Sequence, residues 1–218
     1  MLLVFDVNET LSDMAPLAAR FEAVGASAHL AKLWFAELLR DGFALTVSGD
    51  IESFAMLGAE GLRVRLRGQP LNRPLDAAVD HVMKGFSELT VHPDVVEGIR
   101  VLGDLGIRLV TLSNGSAAVA DTLLQRAGVR DRFERLLTVE DAGIWKPAMR
   151  AYAFALEECG VGPMDAMLVA VHPWDIDGAR RAGLATAWID RSDGRYPSYF
   201  AAPDLAVASL TELADALK

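Results

Sequence analysis

The chain has 218 residues, of which 52% are hydrophobic and 23% charged, so it can fill a sizeable core and is not built as a disordered polymer. A formal net charge of -9 argues against nonspecific attraction to nucleic acid or an acidic membrane, though a locally positive pocket could still take a small anion. The single cysteine, Cys159, excludes an intrachain disulfide and fits a reducing cytoplasm. The apolar start Met1–Phe5 is too short for a signal-peptide core, and no apolar run approaches the ~20 residues of a membrane span. The chain is read as soluble and cytoplasmic, without nucleic-acid or membrane partners.

Leu2–Phe5 is a continuous apolar run that ends at Asp6, as expected of a strand buried on both faces of a parallel sheet. Residues 14–89 read differently. They are rich in Ala, Leu and Glu, with helical stretches at Pro16–Phe21, Ala28–Asp41, Ile51–Gly61 and Leu75–Glu88, and Gly61–Pro74 is a polar connection among them. Its Arg63, Arg65 and Arg67 alternation is read as a solvated edge, and Trp34, Phe35, Phe43 and Phe54 as the core of this insertion.

The strand pattern then resumes. Ile107–Leu112 leads into Ser113-Asn114-Gly115, and Ser116–Ala127 is helical. A weaker run, Leu136–Val139, precedes Glu140-Asp141. Lys146-Pro147 opens the helix that continues over Ala148–Cys159, because proline is favoured at a first helical position. Ala166–Val171 leads into His172-Pro173-Trp174-Asp175 and a helix over Ile176–Ala182, with Asp177 as a first-turn carboxylate. Leu184–Ile189 ends at Asp190. Strands alternating with helices predict an α/β fold with a doubly wound parallel, Rossmann-like sheet, made of residues 1–13 and 90–218 and interrupted by a helical domain at 14–89.

Polar residues gather where apolar strands end: Asp6, Ser113-Asn114 and His172 to Asp175. Ligands of open parallel sheets bind outside the carboxyl ends of the strands, so these clusters are expected to share one site, with Lys146 at the same edge. A carboxylate kept ionised there can attack carbon or phosphorus. A lone Asp is more often a helix cap or turn residue, so Asp6 by itself points weakly. His29, His81 and His92 show no metal-ligand spacing and are read as structural.

Phe5-Asp6-Val7-Asn8-Glu9-Thr10-Leu11, Leu112-Ser113-Asn114-Gly115-Ser116, Lys146-Pro147 and Trp174-Asp175-Ile176-Asp177-Gly178-Ala179 resemble, in order, the four motifs of the haloacid dehalogenase superfamily. The resemblance spans nearly the whole chain and implies that the helical insertion is a cap. Phosphatases of that superfamily place a second Asp two residues after the nucleophile and a metal-binding Asp four residues before the position matching Asp175. Here those positions hold Asn8 and Val171. A hard cation needs several oxygen ligands, usually carboxylates, so a metal and any other cofactor are not expected.

The chain looks most like the (S)-2-haloacid dehalogenases. That resemblance implies that Asp6 displaces halide from C2 of a 2-haloacid, that water activated by Asp175 hydrolyses the aspartyl ester, and that Lys146 holds both carboxylates ionised. It further implies that Asn8 and Thr10 orient the nucleophile, that Ser113 and Asn114 bind the substrate carboxylate, that Tyr152 lines the site, and that the enzyme is a homodimer. Tyr152 reads equally well as core packing. Three positions depart from the family: Phe35 stands after Leu33-Trp34 where an Arg receives the halide, Ala170 where Ser is usual, and His172 where Asn is usual. His172 is the expected replacement donor to the halide or to Asp175, with Trp174 or Asn8 helping, in a site suited to a small halide such as fluoride. A superfamily phosphatase and a non-catalytic carboxylate binder remain the alternatives.

Overall fold

The computed structural model describes every residue except Asp193. It resolves into two compact units, Met1–Ser12 with Thr90–Lys218, and Asp13–Leu89.

The first unit begins with β1 (Leu2–Phe5), and the chain leaves it through β2 (Ser12–Asp13). The second unit holds α1 (Leu17–Ala23), α2 (Leu30–Ser48), α3 (Phe54–Leu66) and α4 (Leu75–Ser87). The chain re-enters the first unit at β3 (Thr90–Val91) and continues through α5 (Val95–Asp104), β4 (Arg108–Ser113), α6 (Ala117–Ala127), β5 (Arg135–Thr138) and α7 (Val139–Ala142). It closes with α8 (Met149–Cys159), β6 (Ala166–Ala170), α9 (Pro173–Arg181), β7 (Ala185–Ile189), β8 (Leu205–Val207) and α10 (Leu210–Ala216).

The six-stranded sheet runs β5-β4-β1-β6-β7-β8, and every pairing in it is parallel. This is the expected α/β doubly wound architecture. β1 is central because all four of its residues are apolar and can be buried on both faces. Leu3 and Phe5 point into a core shared with α5, α6 and α10, while Leu2 and Val4 point into one shared with α8 and α9. Leu2 is in register with both Arg108 and Ala166, so β1 is clamped between β4 and β6. From β1 the chain first builds one side of the sheet, then crosses back to build the other. β1 and β6 therefore flank the point where the winding reverses.

Several boundaries differ from the sequence reading. α2 runs seven residues past Asp41 and stops at Gly49, whose left-handed backbone (φ 83°) ends the helix. α3 starts where the Ser53 side chain accepts from Met56 N, and it continues to Leu66, into the first part of the segment expected to be a connection. That extension places Arg65 against Glu37, and Arg63 against Glu60 and Asp76, so these arginines form cross-helix and intrahelical ion pairs instead of a merely solvated edge. α8 begins at Met149, after a cis Lys146–Pro147 peptide, so Pro147 lies ahead of the helix and not at its first position. α9 begins at Pro173, three residues earlier than expected. Asp175 thus sits in its first turn, while Asp177 lies further along and is held by Arg181 and Ala201 N.

The second unit has its own core, in which Trp34, Phe35, Phe54 and Phe86 are buried. Phe54 stacks on Phe86 at 5.0 Å, and Phe35 meets Phe54 at 6.3 Å. The Trp34 indole donates to Gly58 O at 2.9 Å, which satisfies its one polar atom inside that core.

Candidate active site

Asp6 is the first residue beyond β1, and its backbone N–H still donates to Val169 O of β6 at 3.0 Å. Its carboxylate is buried and accepts three side-chain bonds. Lys146 Nζ reaches Oδ1 at 3.0 Å, while Thr10 Oγ1 at 2.7 Å and His172 Nδ1 at 3.1 Å both reach Oδ2. Thr10 Oγ1 also accepts from Val171 N at 3.1 Å, which ties the loop after β1 to the loop after β6.

Lys146 is fully buried, and its ammonium joins the two carboxylates. Beyond Asp6 it contacts Asp175 Oδ2 at 2.6 Å. Asp175 is also fully buried, and its other oxygen accepts from Tyr152 Oη at 2.6 Å. Tyr152 is thus both core and site: its ring packs in the core on one side of the sheet, and its hydroxyl fixes Asp175. Asn114 acts on the lysine. Its Oδ1 accepts from Lys146 N at 3.1 Å and its Nδ2 donates to Lys146 O at 3.4 Å. Asn114 thus holds the lysine's backbone. Ser113 Oγ accepts from Gly115 N at 2.9 Å and shapes the turn after β4. Asn8 is buried but is not among the donors to Asp6. Its amide nitrogen packs against Gly115, where an added Cβ would stand 3.3 Å away.

The electrostatics follow from these contacts. Burial pushes the Asp6 carboxyl up, but Lys146, His172 and Thr10 outweigh it and hold the group well below the usual carboxylate range. Burial, joined by the charge of Asp6, pushes Asp175 up against the pull of Lys146 and Tyr152. Burial opposes the Lys146 ammonium, yet the two carboxylates raise it above the ordinary lysine value. The two carboxylates therefore diverge: one suits a permanent nucleophile and the other a base that can accept a proton.

His172 is expected as a donor to a halide or to Asp175, and the structure places its ring against Asp6 and Glu9. As the residue before α9 it has extended backbone (φ -86°, ψ 117°), which carries its ring between the loops that follow β1 and β6. Nδ1 bonds Asp6, and Nε2 bonds Glu9 Oε2 at 2.9 Å. Each ring nitrogen thus faces a carboxylate. Burial lowers the pKa of His172, but its bonds to Asp6 and Glu9 prevail and push it up to about 9. The imidazole is therefore cationic at neutral pH. Trp174 stacks on it with centroids 4.8 Å apart, and Lys146 Nζ lies 5.9 Å from the Trp174 ring.

Glu9 escaped the sequence reading. It has a left-handed backbone (φ 61°), uncommon for a residue with a side chain, and the ring of His92 contacts its carbonyl at 3.0 Å. His92 is structural, as expected, but what it supports is the site loop. The available signal was a second carboxylate three residues after Asp6, in a chain whose strand-end histidine needed a partner.

A divalent cation does not suit these donors. Both oxygens of Asp6 already face cationic groups, Val171 offers no side-chain oxygen, and position 8 carries an amide in place of a carboxylate.

The model of the haloacid dehalogenase-like hydrolase family matches residues 1–183. Among curated proteins, the chain is 32% identical to (S)-2-haloacid dehalogenase 4A of Burkholderia cepacia, over 96% of this chain and 91% of that one. It is 28% identical to the (S)-2-haloacid dehalogenase of Pseudomonas sp. strain YL, over 95% and 90%. A solved dehalogenase structure with an intermediate complex superposes with a TM-score of 0.90 at 30% identity, covering 97% of this chain and 94% of that one.

Proposed function

Since the chain belongs to the haloacid dehalogenase-like hydrolases, we propose that it hydrolyses a short 2-haloacid through an aspartyl ester on Asp6, without a metal. The observation that carries this reading is the buried Lys146 ammonium joining Asp6 and Asp175 at 3.0 and 2.6 Å. In the first step Asp6 Oδ1 bonds to C2 of the substrate as the carbon–halogen bond breaks, and the halide leaves with the electron pair. In the second, Asp175 takes a proton from water as the water oxygen adds to the Asp6 carboxyl carbon. The ester C–O bond then breaks, the 2-hydroxyacid departs, and the carboxylate of Asp6 is restored. Configuration at C2 inverts, because only the displacement touches that carbon.

Lys146 keeps both carboxylates ionised and Thr10 orients Asp6. Tyr152 holds Asp175, and Asn114 holds the backbone of Lys146. Ser113 and Asn114 remain the candidates to meet the substrate carboxylate. Phe35 carries no guanidinium where the family resemblance places the halide-receiving Arg. We also propose a homodimer in the cytoplasm. No helix among the described residues is long and apolar enough to cross a membrane, and Leu33, Val47, Met56 and Val64 of the helical unit are exposed apolar groups suited to a partner copy. Its solution mass at micromolar concentration tests this, and a monomer mass refutes it.

The main test is halide release from 2-fluoro-, 2-chloro- and 2-bromo-acids with and without chelator. The expected result is release that survives chelation and disappears in Asp6→Asn, whose fold is retained. Release lost to chelator and restored by Mg²⁺ would instead indicate a phosphatase-like site.

A further inference from the structure

The two oxygens of Asp6 are not equivalent. Oδ1 accepts one bond, from Lys146, while Oδ2 accepts two, from Thr10 and His172. A carboxylate oxygen already holding two donors is the weaker nucleophile and the better seat for negative charge. Resting on the reading that Asp6 forms an ester through Oδ1, we propose that His172, held by Glu9, is a catalytic residue of ester hydrolysis that donates to Asp6 Oδ2 as that oxygen becomes the oxyanion.

The chemistry balances without another reactant. When Oδ1 alkylates, Oδ2 becomes the ester carbonyl and loses its share of the carboxylate charge. Nδ1–H and the Thr10 hydroxyl still face it. As water adds to the carboxyl carbon and Asp175 accepts the proton, the C=O electron pair moves onto Oδ2, between a cationic imidazole and a hydroxyl. When the ester C–O bond breaks, the pair returns to the carbonyl, the leaving alkoxide takes a proton from Asp175, and the Asp6 carboxyl releases the water's second proton to solvent to become the carboxylate again. His172 keeps its own proton throughout.

Glu9 is the positioning residue. Its Oε2, 2.9 Å from Nε2, fixes the tautomer and orientation of the ring and balances the imidazolium once Asp6 has been esterified and no longer carries charge. The groups facing His172 are Asp6 from the end of β1, Glu9 from the loop after it and the uncharged Trp174 ring from α9. Lys146 lies beyond Asp6, and Arg191 beyond Thr10, whose carbonyl it contacts at 3.0 Å. A ring held on both nitrogens by carboxylates explains why His172 is better placed for this step than for halide departure.

The experiment is rapid-quench kinetics of the full-length protein with 2-chloropropionate, following chloride release and, by mass spectrometry, the esterified Asp6 peptide. For His172→Asn the expected result is near-normal chloride release in the first turnover, followed by accumulated ester and a steady-state rate lower by about 10²–10³-fold, the usual effect of losing one oxyanion donor. Glu9→Gln should accumulate ester as well, with a smaller loss, and keeps the test available if the His172 variant does not fold. If first-turnover chloride release falls as much as the steady state and no ester accumulates in either variant, the proposal is overturned. A wild-type single turnover in ¹⁸O water separates this from failure of the ester mechanism itself: label entering the Asp6 carboxyl supports the ester route, and label entering only the product refutes both.

Discussion

Lys146→Met keeps a side chain of similar length in a fully buried position and removes its charge. The ammonium stands 3.0 Å from Asp6 and 2.6 Å from Asp175. At an effective dielectric near 20, each contact is an attraction of about 6 kcal/mol. Without the lysine two carboxylates remain out of water, and the folded variant can relieve them by binding a proton. Holding a carboxylate of ordinary pKa neutral at pH 7 costs about 4 kcal/mol. That agrees with the roughly 3–5 kcal/mol lost when one partner of a buried pair is removed.

The expected destabilisation is therefore about 4 kcal/mol at pH 7, shrinking by about 1.4 kcal/mol per pH unit to about 1.5 kcal/mol at pH 5. The sign follows from linkage. The rescued carboxylate has a folded pKa above its unfolded one, so the variant binds more protons folded than unfolded and loses stability as pH rises. Urea unfolding of wild type and variant at pH 5, 6 and 7, followed by circular dichroism, measures the difference. A loss below about 1 kcal/mol at pH 7, or one that does not change with pH, would refute the idea that Lys146 holds two ionised carboxylates in the core.

Other consequences are equally direct. Tyr152→Phe removes the donor 2.6 Å from Asp175, so its pKa should rise further and the acid limb of turnover should move to higher pH; an unmoved limb would separate Asp175 from the base role. An added Cβ at Gly178 would stand 2.6 Å from Tyr152 Oη and 2.7 Å from Pro147 Cβ. Gly178→Ala should then cost about 1–3 kcal/mol in thermal unfolding and slow turnover with it. The raised pKa of His172 stabilises the folded state fully below its unfolded value of 6.5, and this contribution is lost as pH rises through about 9. The stability difference between wild type and His172→Asn should shrink by about 3 kcal/mol from pH 6 to pH 10 in urea titrations.

The sequence alone determined the parts whose information is local. An apolar run such as Leu2–Phe5 can be satisfied only by burial on both faces, so a central parallel strand and an acid at its end were legible without coordinates. The same holds for the strands ending at Ser113 and Ala170, and for the reading that Asp6, Lys146 and Asp175 belong together. The short strand β8 went unread because its residues become strand only through pairing with β7, whereas α10 carried a local start signal in Ser209 and Glu212 that was passed over.

Tertiary structure alone decided who touches whom. Lys146 reaches Asp6 across 140 positions, and His172 reaches Glu9 across 163, distances over which spacing carries no geometric information. The residue type at 172 marked a departure, but the direction of its ring depended on where α9 starts and on the left-handed turn at Glu9. Those features set the histidine beside the nucleophile and Glu9, because the loops after β1 and β6 meet there and a buried imidazole is stabilised between two carboxylates.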